Sequence, residues 1–313
     1  MSGPVCRVDV SATTVRDVPG SGELEIVEGR ATEVGGFGVR RVLPRRGRRT
    51  VGSWCFVDHM GPGPVTATHG LDIGPHPHIG LQTVTWLIAG AVLHRDSLGT
   101  EQLIRPGELN VMTAGSGVSH SEETTGVYEG SLHGVQLWVA MPSATRGGEP
   151  GFEHHRELPQ VELDNAAATV LIGDFAGAIS PARRDTEHVG VELDLRVGRV
   201  AVPLRAGDEH AVIALDGAVS IGGQRLEPGR LGYLGVGRDG LTIDVTEPTR
   251  VMLIGGPPFP EAVLMWWNYV ARTREEITAA HRAWSSRSPR FGTVPSPLAP
   301  MDTPGPPLSD QSG

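Results

Sequence analysis

The sequence predicts an all-β protein of two domains that ends in one short helix. Its 313 residues exceed the size at which a single core usually keeps growing, so two cores are expected. Its 43 Gly and 25 Pro are too many for a helical bundle, and they punctuate short runs rich in Val, Leu, Ile and Thr.

Residues 1–22 are polar and read as an N-terminal arm. From Glu23 short apolar runs alternate with turn residues: 37–39, 52–57, 83–88, 109–112 and 134–139 read as strands of a first domain spanning 23–146. Gly90 suggests a hairpin, and Asp96-Ser97-Leu98-Gly99 and Arg105-Pro106-Gly107-Glu108 carry the residues tight turns require. The Gly-rich stretch 147–151 reads as a linker. A second domain, 152–290, shows strands at 191–202, 211–215, 218–221 and 241–245, with Asp216-Gly217 and Gly222-Gly223 as hairpin turns. Its segment 204–234 repeats the turn grammar of the first domain, which suggests an internal duplication. Thr273-Arg274-Glu275-Glu276 is a capping-box signature, and Ile277, Ala280, His281 and Trp284 follow at helical spacing. The Pro-rich tail, 291–313, is expected to be loosely ordered or draped over the surface.

Composition removes several function classes. The chain has no lysine, which excludes Schiff-base chemistry, lysine-anchored pyridoxal phosphate and a P-loop. Net charge is −9, so the cluster Arg40, Arg41, Arg45, Arg46, Arg48 and Arg49 reads as a solvated basic loop, with no nucleic-acid partner expected. Cys6 and Cys55 build neither a disulfide framework nor a thiolate zinc site, which fits a reducing compartment. Residues 1–9 lack a secretory pattern, and the longest weakly polar run, 83–93, is too short to cross a bilayer. A cytoplasmic location and no membrane partner are expected.

The chemistry is carried by two forks, His76-Pro77-His78 and His120-Ser121-Glu122. Residues two apart on a strand face the same way, so two such strands lining one barrel would bring three imidazoles and a carboxylate to one point. Pro77 stiffens the first fork, and Gly115-Ser116-Gly117 gives the second a flexible approach. This donor set suits Fe(II), Mn(II), Ni(II), Cu(II) or Zn(II), and leaves positions open for chemistry. His94 and His133 are candidates to line the pocket or support the ligands. His154-His155 reads as solvent-facing. A Ser116 nucleophile with His120 as base lacks the strand-turn-helix context it needs. The second half has only a lone His210 behind Glu209, so a metal is expected in the first half alone.

At these residues the chain resembles the pirin family of the cupin superfamily. The resemblance lies in Asp58-His59-Met60-Gly61-Pro62, residues 76–85, His94-Arg95-Asp96-Ser97, residues 112–122 and residues 132–138, and more loosely in 255–258 and 261–268. It implies two cupin-type barrels (double-stranded β-helices) face to face, the metal held in the first by His76, His78, His120 and Glu122, and Fe(II) as the usual ion, with Mn, Ni, Cu, Co or Zn as other occupants. Many members carry Glu where this chain has Gln82, so the resemblance leaves Glu122 as the one acid expected on the metal. Some bacterial members resemble quercetin 2,3-dioxygenases; animal members act as iron-dependent regulators that bind protein partners. The leading expectation is therefore oxidative opening of an aromatic enediol or flavonol such as quercetin by dioxygen, with Glu122 as both ligand and base. The alternatives are a non-catalytic, redox-sensing iron protein with a protein partner, or an isomerase that consumes no oxygen.

Overall fold

A computed structural model describes residues 24–306 and the backbone of Val5–Arg7. The remainder of the arm expected at 1–22, and the end of the tail, 307–313, lie outside the described residues. The described part is two β-barrels, each made of one large and one small sheet, antiparallel except where Val5–Arg7 pairs in parallel with Gln160–Leu163. In the first, the large sheet has the order Gly151–His155, Leu109–Thr113, Leu81–Ala89, Gly130–Ala140, Trp54–Val65, Phe37–Leu43 and Arg30–Val34. The small sheet has the order Asp72–His78, Val118–Glu123, Val92–Asp96 and Glu101–Ile104. In the second barrel an eight-stranded sheet faces the four strands Gly198–Pro203, Gly240–Val245, Val219–Ile221 and Gln224–Leu226.

The two barrels meet through their large sheets. Side-chain parity makes this possible, since a strand buried on both faces can serve two cores at once. On the Gly130–Ala140 strand, Val135, Leu137 and Val139 pack with Ile213, Met252 and Ile254 of the second barrel, whereas Trp138 and Ala140 face the first barrel's interior. The interior of the second barrel is apolar, with Val191, Leu193, Val200, Ile243 and Leu253 among its members.

Several elements differ from the sequence reading. Gly90 (φ 92°) marks a corner, not a hairpin: Leu81–Ala89 stays in the large sheet and Val92–Asp96 joins the small one. A Cβ at Gly90 would lie 2.9 Å from the Ser131 carbonyl oxygen, so close backbone approach as well as conformation requires glycine. The single strand read over 191–202 is two, Val189–Leu195 and Gly198–Pro203, which lie in different sheets. The stretch read as a linker at 147–151 runs into Gly151–His155, which pairs with Leu109–Thr113 and covers that edge of the first large sheet. Conversely, Glu25–Glu28 pairs with Arg230–Gly235 of the second barrel before the chain enters the first. His154 and His155 sit half-buried on the covering strand, bonded to Asn110 (2.6 Å) and Glu153 (2.9 Å).

The helix Arg274–Ser285 has the capping box its sequence predicts, and buries Ile277, Ala280 and Trp284. These pack with Ile79, Tyr269 and Phe291, so the C-terminal segment leans on the first barrel. The described tail continues across the same barrel: Met301 N–H donates to the Pro75 carbonyl (2.8 Å) and Trp284 Nε1 donates to Met301 O (2.9 Å). No helix among the described residues is long and apolar enough to cross a membrane.

Leu137 is fully buried between the two large sheets. Leu137→Ala is expected to lower stability by about 2–5 kcal/mol, since the facing sheets cannot close over the lost volume. Guanidinium unfolding followed by tryptophan fluorescence checks this; an unmoved midpoint would contradict the described packing.

Candidate metal centre

His76 and His78 sit on the last turnless stretch of Asp72–His78, and His120 and Glu122 on Val118–Glu123, its antiparallel neighbour. His120 lies directly opposite His76. Between His120 and Glu122 the register shifts, because Gly74 and Pro75 together oppose Ser121. Gly74 also passes beneath the tail: a Cβ there would meet the Ala299 carbonyl oxygen.

All three histidines are buried, and one donor nitrogen from each lies within 4.8 Å of the others. Their protons are placed by their neighbours. His76 Nδ1 donates to the Gly74 carbonyl at 2.9 Å and His78 Nδ1 to the Asn268 carbonyl at 3.1 Å, acceptors that cannot give a proton back. His94 Nε2 lies 3.2 Å from Asp96 Oδ2; with its proton on that nitrogen the ring presents a bare Nδ1, which accepts from His120 Nδ1 at 3.3 Å. Asp96 is itself fixed by the backbone N–H groups of Leu98 (2.9 Å) and Thr100 (3.0 Å). Burial opposes its charge, but the hydrogen bonds from His94 and Thr100 hold its carboxyl below the usual range. Each of the three histidines therefore turns an unprotonated Nε2 to the same point.

Two of those bare nitrogens, on His78 and His120, lie 3.0 Å apart. Two lone pairs at that distance repel unless a cation lies between them, and this is the observation by which the residues fit a metal. Burial, foremost, lowers the pKa of all three rings, that of His76 to about 4, so they are neutral and ready to ligate near pH 7.

Glu122 is buried and lines the same cavity, but its carboxylate stands outside the tight cluster of three nitrogens. Burial alone pushes its pKa up to about 7. The cavity is about 320 Å³ and is walled by Phe56 and Trp138, whose rings stack 3.9 Å apart and 12° from parallel. Across it, Asp58 accepts a bidentate pair from Arg41 at 2.8 and 2.7 Å.

Of the remaining candidates, His94 supports His120 as described. His133 does not line the cavity; its Nε2 lies 2.9 Å from His59 Nε2. A bulge between His133 and Gly134 resets the strand's parity there. Gln82 shares the face of Val84 and Trp86, and its amide donates to Thr113 Oγ1 at 3.0 Å, so neither Gln nor Glu at this position would point at the metal cavity. Ser116 is exposed and both ring nitrogens of His120 are engaged elsewhere, which leaves no Ser–His pair. Sequence reasoning did not find Asn268, Trp267 or Met301, which reach the cavity from the C-terminal segment. The aromatic run 265–269 was the available signal.

Comparison with known proteins agrees with this architecture. The family model described as Pirin matches residues 36–139, and the Pirin C-terminal cupin domain matches 191–292. The chain belongs to the pirin family. This pirin is 42% identical over 94% of its length to a Pseudomonas aeruginosa protein named "Putative quercetin 2,3-dioxygenase", 94% of which is covered. It is 36% identical over 83% of its length to a pirin-like protein of Caulobacter vibrioides, covering 92% of that protein. A crystal structure of quercetin 2,3-dioxygenase from Acinetobacter baumannii superposes with a TM-score of 0.88 at 42% identity, over 92% of this chain and 96% of that one. The two-barrel cupin fold is thus shared, and the three-histidine cluster can hold a metal.

Two outcomes are expected. His76→Ala should lose nearly all bound metal, while His94→Ala and Asp96→Asn, which leave the ligands in place, should weaken metal affinity by roughly 10–100-fold; metal analysis and competitive titration distinguish them. If Glu122 completes the site, a carboxyl with pKa about 7 must shed its proton to bind. Affinity should then fall by about tenfold per pH unit below pH 7 and level off above it, and the slope should flatten in Glu122→Gln.

Proposed function

We propose that this pirin is a metal-dependent dioxygenase that opens the ring of a flavonol-like enediol such as quercetin, with Fe(II) as the working metal. The observation that carries the reading is the convergence of three bare imidazole nitrogens beside one buried carboxylate without a hydrogen-bond partner among the described residues, in a cavity lined by Phe56 and Trp138. When bound, the metal supplies Lewis acidity and the redox chemistry needed to use dioxygen. His76, His78 and His120 hold it, and Glu122 is assigned as the fourth ligand.

The chain's own contribution is positioning and proton transfer. Phe56 and Trp138 line the cavity with aromatic side chains, which suits an apolar ring system. The volume of about 320 Å³ falls in the range of roughly 300–1,000 Å³ common to small-molecule sites. Glu122 receives no hydrogen bond from the described residues, so its oxygens are free to accept the proton of the substrate's enol hydroxyl. Its raised pKa makes it a stronger base than an ordinary carboxylate, poised near neutral pH. The similarity to proteins named as quercetin 2,3-dioxygenases supports the choice of substrate class.

Fe(II)-loaded protein should bleach quercetin with matching oxygen uptake, lose that activity on chelation and regain it on adding Fe(II). Glu122→Gln should lower kcat by about 10²–10⁴-fold if the carboxylate is the base. No turnover with any of Fe, Mn, Ni, Cu or Co would refute the dioxygenase reading. Iron-dependent capture of a protein partner without turnover would favour the regulator, and substrate conversion without oxygen uptake the isomerase.

A further inference from the structure

The arginines near residue 45 do not form one solvated loop. Arg41 is committed to Asp58, with its guanidinium 4.4 Å over the Phe56 ring. Arg48 is committed to Glu25 at 2.6 Å and lies 3.3 Å over the Tyr233 ring, which anchors the loop to the second barrel. Backbone bonds between Arg45 and Arg48, at 2.8 and 3.1 Å, close the turn between them, with Gly47 at φ 86°. Arg45, Arg46 and Arg49 are left over. Together with Arg30 they line a second chamber of about 510 Å³. Among the described residues no carboxylate forms an ion pair with Arg30, Arg45, Arg46 or Arg49.

This chamber adjoins the metal cavity. Arg41, Phe56 and Trp267 line both. A chain with net charge −9 thus gathers, beside the cavity that holds its histidine cluster, four guanidinium groups that form no ion pair among the described residues. Like charges gathered around a concavity repel one another unless an anion joins them, and guanidinium forks match the paired oxygens of carboxylate, sulfate and phosphate. We propose that the chamber is an anion subsite of the metal cavity, and that the substrate is a planar phenol or enediol bearing a negatively charged substituent. The aromatic part would lie in the metal cavity and the charged part among Arg45, Arg46 and Arg49. This deepens the dioxygenase reading and rests on it for the aromatic half only.

The test is binding, not turnover. Quercetin and a sulfonated quercetin are titrated anaerobically into the metal-loaded protein, with tryptophan fluorescence as readout, and inorganic sulfate is titrated in parallel by calorimetry. The wild type should bind the sulfonate about tenfold more tightly than quercetin at low salt, from three exposed charge contacts. That gain should vanish in Arg45→Ala/Arg46→Ala/Arg49→Ala and fade as salt rises, but persist in Arg199→Ala/Arg225→Ala. Arginine-dependent sulfate binding without quercetin binding keeps the subsite and refutes the flavonol reading. Equal affinity for both flavonols in wild type and triple variant, with no sulfate binding, overturns the subsite; so does arginine-dependent binding of duplex DNA with no preference for the sulfonate.

Discussion

The site depends on one electrostatic conflict: bare nitrogens of His78 and His120 held 3.0 Å apart inside a barrel. The conflict is imposed from outside the cluster. Gly74 and Asn268 offer only carbonyls to His76 and His78, and Asp96, charged and pinned by backbone amides, dictates the proton position on His94 and so on His120. No histidine of the cluster can relieve the repulsion by changing tautomer without losing its own hydrogen bond. A cation would remove the conflict without disturbing any of them, so the fit to a metal lies in the hydrogen-bond frame as much as in the three histidines.

The same logic ties the end of the chain to the start. Asn268 sits in the turn between Leu264–Trp266 and Tyr269–Ala271, beside Trp267, which adopts a left-handed conformation (φ 51°). That turn is fixed by Val270 N–H donating to Ile79 O at 3.1 Å, one residue beyond His78. The helix and tail then hold it from behind through Tyr269, Trp284 and Met301. Segments after the second barrel thus act as structural parts of the first barrel's site. The second barrel contributes rigidity instead: its interior is filled with Val, Leu and Ile, and its large sheet backs the one that carries Phe56 and Trp138.

What the sequence made legible was whatever strand periodicity fixes locally. His76 with His78, and His120 with Glu122, are each two apart, and no tertiary information is needed to place each pair on one face. The capping box at Thr273 is local in the same sense. What was not legible depends on register or distance. His133 faces away from the cavity because a bulge intervenes, and Gln82 because its strand presents the opposite parity to the metal. Asn268 is 190 residues from the ring it orients. Gly90 looks the same in sequence whether the chain reverses within one sheet or turns a corner into another. The arginine cluster looked uniform, yet its members divide by partners that lie up to 185 positions away, such as Tyr233 for Arg48.

Charge arithmetic links the two chambers. Two buried carboxylates line the metal cavity, Asp58 and Glu122. A free Asp58 would compete for the cation or add a second negative charge; the bidentate bond to Arg41 removes both possibilities, although burial still raises the Asp58 pKa above its usual value. Of the cavity's two buried acids, that leaves Glu122 with no hydrogen-bond partner among the described residues. A divalent cation with a single carboxylate keeps a surplus positive charge, which a deprotonated substrate hydroxyl neutralises and a neutral ligand does not. Arg41 therefore has a role on each side: it sets the charge of the inner cavity by occupying Asp58, and its stacking on Phe56 forms the threshold to the basic chamber beyond. Selection for anionic ligands would then operate twice along one path, first at the guanidinium groups and then at the metal.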